Sequence, residues 1–327
     1  MRLPSDECRP TDRTMDLLER KLVFVTGKGG VGRTTVASGL ALLAAEQGKR
    51  TLLCEVEKGG LSGAFETGQL SFQERQVQPK LWALSIETEA SLREYLRLQL
   101  RVPLVDRLGP LAHALDFVAT AAPGVKEILT IGKLCYEVHE RRWDLVVVDA
   151  SATGHIVSQL DAPRAINDLV KVGTVRQQTD WMNEILSDPA MTGCVIVSTA
   201  EEMPVNETIE LAEQLAKQTS VDLASVIVNR VLPELFGRGE EQVFSKLADP
   251  GRLNELNDAV QGDASPVLSA AILAVTMRRT RASHLERLRA GIDPSVPLLY
   301  LPYLFSRSHG LRATRQVAAA LAAELGC

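Results

Sequence analysis

The chain has 327 residues, 45% of them hydrophobic, and a formal net charge of −5. That is apolar material enough for one large α/β domain or two smaller ones, while the acidic balance supplies no global basic field for nucleic acid or anionic lipid. Five scattered cysteines without a CxxC argue against a zinc clasp or a redox pair and suit a reducing cytoplasm; neither a signal peptide nor a membrane-length apolar run is visible.

Residues 1–20 carry charges, two prolines and no sustained period, and read as a flexible arm ahead of a single domain over 21–327. Residues 22–26 are apolar until the last position, as a central parallel strand would be. A glycine loop follows, then a helix over 33–47 that Gly48 terminates. Strands are expected at 51–56 and 81–86. From 89 to 142 the pattern is helical: Leu92, Leu96 and Leu100 recur at fourfold spacing, punctuated by Pro103, Gly109-Pro110 and Pro123-Gly124. This reads as a helical subdomain inserted over about 88–142. Residues 145–149 form the strongest strand, and 195–199, 224–229 and 296–301 complete the set. Helices are expected over 165–186, 205–219, 240–260, 265–290 and 311–325. The alternation predicts an α/β fold with a doubly wound, mostly parallel sheet covered on both faces.

Residues 22–35 read LVFVTGKGGVGRTT. Strand, glycine loop, helix is the order a phosphate cradle needs. Gly27, Gly29, Gly30 and Gly32, with Val31 among them, let backbone N–H groups turn toward an anion at the helix N-terminus, where the helix dipole also favours negative charge. Against the general P-loop pattern GxxxxGK(S/T), Gly27, Gly32 and Thr34 fit, but Arg33 stands where the lysine belongs. Arginine keeps the charge and can bind phosphate oxygens bidentately; its bulk prevents it from setting a compact charge between β- and γ-phosphates. Thr34 would hold Mg2+ through its hydroxyl and Thr35 would sit at the α-phosphate, or both hydroxyls simply bond backbone at the helix start.

The loop GKGGVGRTT resembles the deviant Walker A loop, xKGGxGK(S/T), of a family of dimeric ATPases. That family includes the ArsA arsenite-pump ATPases, the tail-anchored-protein targeting ATPases, the MinD and ParA partition ATPases and the nitrogenase iron protein. The resemblance implies ATP and Mg2+ as cofactors, and Lys28 acting on the partner subunit's nucleotide.

Residues 145–155 read LVVVDASATGH, placing Asp149 at a strand end beside the loop, facing the Mg2+ shell through water; the alternative is a turn or N-cap aspartate. The stretch resembles the DxxPTGH switch II of the ArsA and tail-anchored-targeting branch, with Ala152 in place of the proline. His155 reads equally as a switch residue or a structural loop histidine. In that branch a switch I aspartate orients the attacking water. Here residues 54–65 read CEVEKGGLSGAF, and Val56 occupies the aspartate's place. Glu57 takes that role on a longer stem and Glu55 serves the Mg2+ shell, or both are solvated charges.

Residues 226–233 read VIVNRVLP. The Asn229 amide matches the donor–acceptor edge of adenine, or is a strand-end turn asparagine. The resemblance implies that Asn229, with Arg230 beside it, meets adenine and that the loop at Pro302 and Tyr303 closes over the base. Residues 199–208, TAEEMPVNET, resemble the branch element TxPExxxxxET, and their charges read as a solvated face.

The segments AAPGVKEILTIGKL, RRWDLVVVDASATGH and DAPRAINDLVKVG resemble actinobacterial-type ArsA-like ATPases, often paired as two related chains of which one can carry a degenerate loop. The resemblance runs from residue 21 to 325 and implies a cytoplasmic ATPase, either a homodimer or a heterodimer with a related chain. Nucleotide would open and close the subunits and gate a client or membrane protein, without zinc or nucleic acid. The departures at Arg33 and Val56 leave a second reading, a nucleotide-binding pseudo-ATPase that regulates a competent paralogue. A partition-type ATPase is the third.

Overall fold

The structure is a computed structural model that describes residues 16–57, 59–100, 124–234, 237–247, 249–304 and 310–327. Its strands are β1 (Leu22–Gly27), β2 (Thr51–Glu55), β3 (Arg75–Gln78), β4 (Leu81–Ser85), β5 (Leu145–Asp149), β6 (Thr192–Thr199), β7 (Asp222–Val231) and β8 (Leu298–Pro302). They make one eight-stranded sheet in the order β3-β4-β2-β5-β1-β6-β7-β8. Every pairing is parallel except β3 with β4. The helices are α1 (Arg33–Glu46), α2 (Leu61–Ala64), α3 (Thr88–Leu100), α4 (Val125–His139), α5 (Thr153–Leu169), α6 (Thr174–Ser187), α7 (Glu202–Gln218), α8 (Arg238–Leu247), α9 (Pro250–Val260), α10 (Ser265–Gly291) and α11 (Leu311–Leu325).

The two-residue period of each central strand divides its side chains between two cores. Leu22 and Phe24 share one with Ile131 of α4, Ile156 of α5 and Met182 of α6. Val23 and Val25 share the other with Leu40 of α1 and Leu321 of α11. Both sheet faces are therefore covered, which is why β1 and β5 read as continuous apolar runs. The register brings one end of the sheet together: Asp149 lies opposite both Val25 and Glu55, Thr199 opposite Asn229, and Val231 opposite Pro302.

Several expectations need correction. The arm expected over 1–20 does not extend to its last residues. Asp16–Leu18 forms a 3-10 turn, Leu17 and Leu18 are buried, and Arg20 donates to the Thr192 carbonyl at 2.8 Å and to Asp222 at 2.7 Å. Residues 1–15 lie outside the described residues, as do 101–123 of the helical insert, with Pro103, Gly109, Pro110 and Pro123. The helix expected over 165–186 is two, α5 and α6, broken where Gly173 takes φ 99. The stretch 240–260 is likewise two, because Pro250 cannot donate into a continuing ladder and instead opens α9. Strand β3 escapes the sequence pattern: RQVQ is polar and half-exposed, and the loop into β4 carries its positive φ at Lys80.

Gly39 sets the approach of α1 to α11. A Cβ there would lie 2.6 Å from Val317 Cγ1 and 3.3 Å from the Ala318 backbone nitrogen. Gly39→Val should therefore lower unfolding free energy by about 1–3 kcal/mol through overpacking. Urea unfolding followed by circular dichroism measures it; an unchanged midpoint would contradict this packing.

Candidate functional site

The loop between β1 and α1 takes left-handed or otherwise glycine-requiring conformations at Gly27 (φ 147), Gly30 (φ 86) and Gly32 (φ 98). Gly27 also sits under a neighbouring strand, since a Cβ would lie 2.2 Å from the Val197 carbonyl oxygen. Gly32 packs on Asn229, whose Nδ2 would be 2.4 Å from such an atom. Gly29 differs: its φ is ordinary, and a Cβ would meet no described atom within 4 Å. What glycine permits at Gly29 is close approach from outside, as a phosphate would make. Helix α1 begins without a side-chain cap, so its first N–H groups are left for a ligand or water.

At the end of β5, Asp149 Oδ2 accepts a hydrogen bond of 2.7 Å from Thr34 Oγ1. Its other oxygen, Oδ1, is buried without a hydrogen-bond partner. Burial pushes the carboxyl up to about 6, and Glu55 and Glu57 add to that, while the Thr34 bond and the Arg33 charge oppose it. An orphaned buried carboxylate oxygen beside a threonine hydroxyl is a hard-oxygen donor set that fits Mg2+. Thr35 is exposed next to them.

Glu55 is not a solvated charge. It is 1% exposed and accepts from the Leu61 backbone N–H at 3.3 Å, tying β2 to α2. Glu57 is half-exposed and lies 3.4 Å from Arg33. The same guanidinium donates to the Ala150 carbonyl, so Arg33 bridges the loop after β2 and the loop after β5. Lys28 pairs with Glu207 of α7, whose second oxygen accepts from Thr153 at 3.4 Å. The solvated-face reading of 199–208 therefore fails for Glu207. Its position in the TAEEMPVNET element was the available signal, but the contact spans 179 positions and no local pattern reveals it. His155 is exposed on the first turn of α5.

Asn229 is buried at the end of the shared register. Its Nδ2 donates to the Val31 carbonyl at 2.8 Å, and its Oδ1 accepts from the Arg230 backbone N–H at 2.9 Å. The amide thus props the glycine loop and keeps one N–H and one acceptor direction for another partner. Arg230, at φ 57, and Pro302 are exposed at the rim, where Tyr303 is held by its N–H to the Val231 carbonyl at 2.8 Å. The structure gathers the residues from Gly27 to Thr35 with Glu55, Glu57, Asp149 and Asn229, and leaves Arg230 and Pro302 beside them.

The family model described as the anion-transporting ATPase, ArsA type, matches residues 20–179 and 167–240. The ATPase BagA of Mycobacterium tuberculosis is 33% identical over 300 residues, covering 86% of this chain and 87% of that protein. A putative arsenical pump-driving ATPase of Halobacterium salinarum is 27% identical over 241 residues, 67% of this chain and 37% of its own. The ATPase get3 of Schizosaccharomyces japonicus is 26% identical over 256 residues, 66% and 77% respectively.

Because Asp149 holds its proton more tightly folded than unfolded, the folded chain binds more protons between about pH 4 and 6, and stability falls as pH rises through that window. The full difference amounts to roughly 3 kcal/mol. Asp149→Asn keeps an acceptor for Thr34 but cannot ionise. In EDTA, urea unfolding at about pH 4 and 7 should show the wild type losing roughly 3 kcal/mol relative to the variant; parallel profiles would refute the assignment.

Proposed function

The chain belongs to the ArsA-type anion-transporting ATPase family, and on that premise we propose that it binds and hydrolyses Mg2+-ATP as one half of a dimer. The observation that carries this reading is the convergence of the glycine loop with Thr34 and the unpartnered Asp149 oxygen. Backbone N–H groups from Lys28 to Thr34 would receive the phosphates. Mg2+, held by Thr34 and through water by Asp149, would neutralise charge on them. Arg33 would leave the Ala150 carbonyl to reach a phosphate oxygen, and Glu57, freed of that arginine, would orient the attacking water. Positioning and charge stabilisation do the chemistry, with no covalent step. Asn229 and Arg230 would meet the base, with Pro302 closing from the last strand.

Lys28 is engaged within its own chain by Glu207. We read this as the open state, from which nucleotide would release the lysine to act on the partner's phosphates. The dimer would be homomeric or formed with a related chain, working in the cytoplasm and coupled to a client or membrane protein. Among the described residues no single helix is long and apolar enough to cross a membrane. One observation favours the pseudo-ATPase as a second reading: Arg33 is spent on Ala150 and Glu57, and no switch I aspartate is present.

Turnover of the purified chain, alone and mixed with its paralogue, tests both readings. Arg33→Lys should raise turnover about tenfold, as one restored charge-assisted contact allows. Lys28→Ala should bind Mg2+-ATP as the wild type does and lose at least tenfold in turnover. Nucleotide binding without turnover by the chain alone, and by Arg33→Lys alone, with turnover appearing when the paralogue is added, would leave the regulatory reading. No binding at all would overturn both.

A further inference from the structure

We propose that the N-terminal half of α10 docks on the same segment of a second copy of this chain, the two helices lying antiparallel. Helix α10 runs alongside α7. Gly291 packs on Ile209, where a Cβ would lie 2.5 Å from Cδ1, and Arg281 meets Glu201, the residue before α7, at 3.6 Å. Residues 265–280 of α10 therefore run on past the start of α7 for roughly 24 Å. They do so at the end of the sheet that carries the glycine loop, since Gly27 lies opposite Val197 near the end of β6. The overhang is not polar: residues 265–277 include no charged side chain. Leu268 and Ala271 bury one face of it. A second apolar face is open among the described residues, with Val267 74% exposed, Leu273 59% and Met277 41%, and with Ala270 and Ala274 between them. At 3.6 residues per turn these five share an arc of about 120°. The same arc continues through Arg281 to Leu285 and Leu288, which pack on the core. It is a core-facing stripe that outruns its own core, and a helix apolar on nearly all sides is ordinarily covered.

Two features select a second copy as the cover. The first is self-complementarity, which a two-fold contact requires. About an axis at residue 272, Val267 faces Met277 and Ala270 faces Ala274, so the small residues meet at the centre, where the helices can approach closely. The second is charge. Asp258 and Asp263 are exposed at the corner before α10, and Arg281 stands at the other end of the overhang. Antiparallel pairing sets Asp263 of each copy beside Arg281 of the other. Arg281 holds Glu201 at 3.6 Å and the Arg230 carbonyl at 3.4 Å, and an arginine has five N–H donors, so donors are left for that aspartate. A parallel pairing would set like charges together, and an anionic lipid surface would be opposed by the two aspartates. A seam about 15 Å long buries less than the roughly 1,000 Å2 of a stable complex, so the pairing is weak and reversible. It needs no nucleotide and goes beyond the ATP-driven contact proposed above.

Sedimentation equilibrium of the full chain, without nucleotide and in EDTA, up to about 0.5 mM as a small contact demands, tests this. The variants are Leu273→Glu on the stripe and Thr276→Glu, exposed on the same helix outside the arc; thermal melts verify that both fold. The expected result is a reversible monomer–dimer equilibrium, weakened at least tenfold by Leu273→Glu and unchanged by Thr276→Glu. Register is read by cross-linking. With Cys8 and Cys327 replaced by serine, which leaves only the buried Cys54, Cys135 and Cys194, a mixture of Ala270→Cys and Ala274→Cys chains should oxidise to a dimer several-fold more than either alone. A chain monomeric throughout, a dimer that Leu273→Glu leaves intact, or equal cross-linking in the mixture and the single variants would overturn the proposal. So would a monomer that sediments with phosphatidylglycerol vesicles and loses them in Leu273→Glu, which would make lipid the occupant. None of these results bears on Mg2+-ATP binding, so the nucleotide reading stands or falls separately.

Discussion

Between Thr26 and Arg33 the backbone has to stop being a strand, turn its N–H groups outward and begin a helix. Few residues other than glycine take the conformations this needs. The surroundings hold the loop in that shape from several sides. Gly27 is pressed under the Val197 carbonyl, Gly32 against the Asn229 amide, and the Asn229 amide in turn holds the Val31 carbonyl. β1, β6 and β7 must therefore be in register before the cradle exists. The bond from Thr34 to Asp149 then fixes the first turn of α1 to the end of β5. Sheet order and site are one construction.

The two cations of the loop are both engaged within the chain. The side chains of Lys28 and Glu207 are each 29% exposed, and pairs at such accessibility contribute at most about 1 kcal/mol. A charge-assisted contact to phosphate is worth roughly 1.5–3 kcal/mol, so a triphosphate would take Lys28 from its present partner. That contact holds the lysine near the place of use without locking it there. Asp149 is the opposite case, since its burial disfavours the charge that a divalent cation would require of it. Strain of this kind is tolerated where binding relieves it.

Much of this was legible in the residues. Central parallel strands are buried on both faces, so β1 and β5 appear as apolar runs, and the loop between β1 and α1 is spelled in glycines. The α/β alternation followed. What escaped was whatever rests on distant pairing. β3 is polar and depends on β4 for its existence. Glu207 looks like any helix-surface glutamate until α7 is packed beside the loop. The burial of Glu55 comes from its register with Asp149, and Asn229 reads as a strand-end amide without any hint that it props Val31. Pro163 inside α5 and Gly173 after it blurred that helix's limits in both directions. Apart from that helix, whose breakers are local, composition was outweighed by tertiary contact.

The account turns on the glycine loop and the end of β5 acting as one triphosphate receptor. Amide hydrogen exchange, with and without Mg2+ and a non-hydrolysable ATP analogue, measures this most directly. The account predicts that amides over 28–35 and 150–155 gain protection together, while those over 75–78 at the far sheet edge stay as they are. Binding that protected neither segment, or the first without the second, would contradict it.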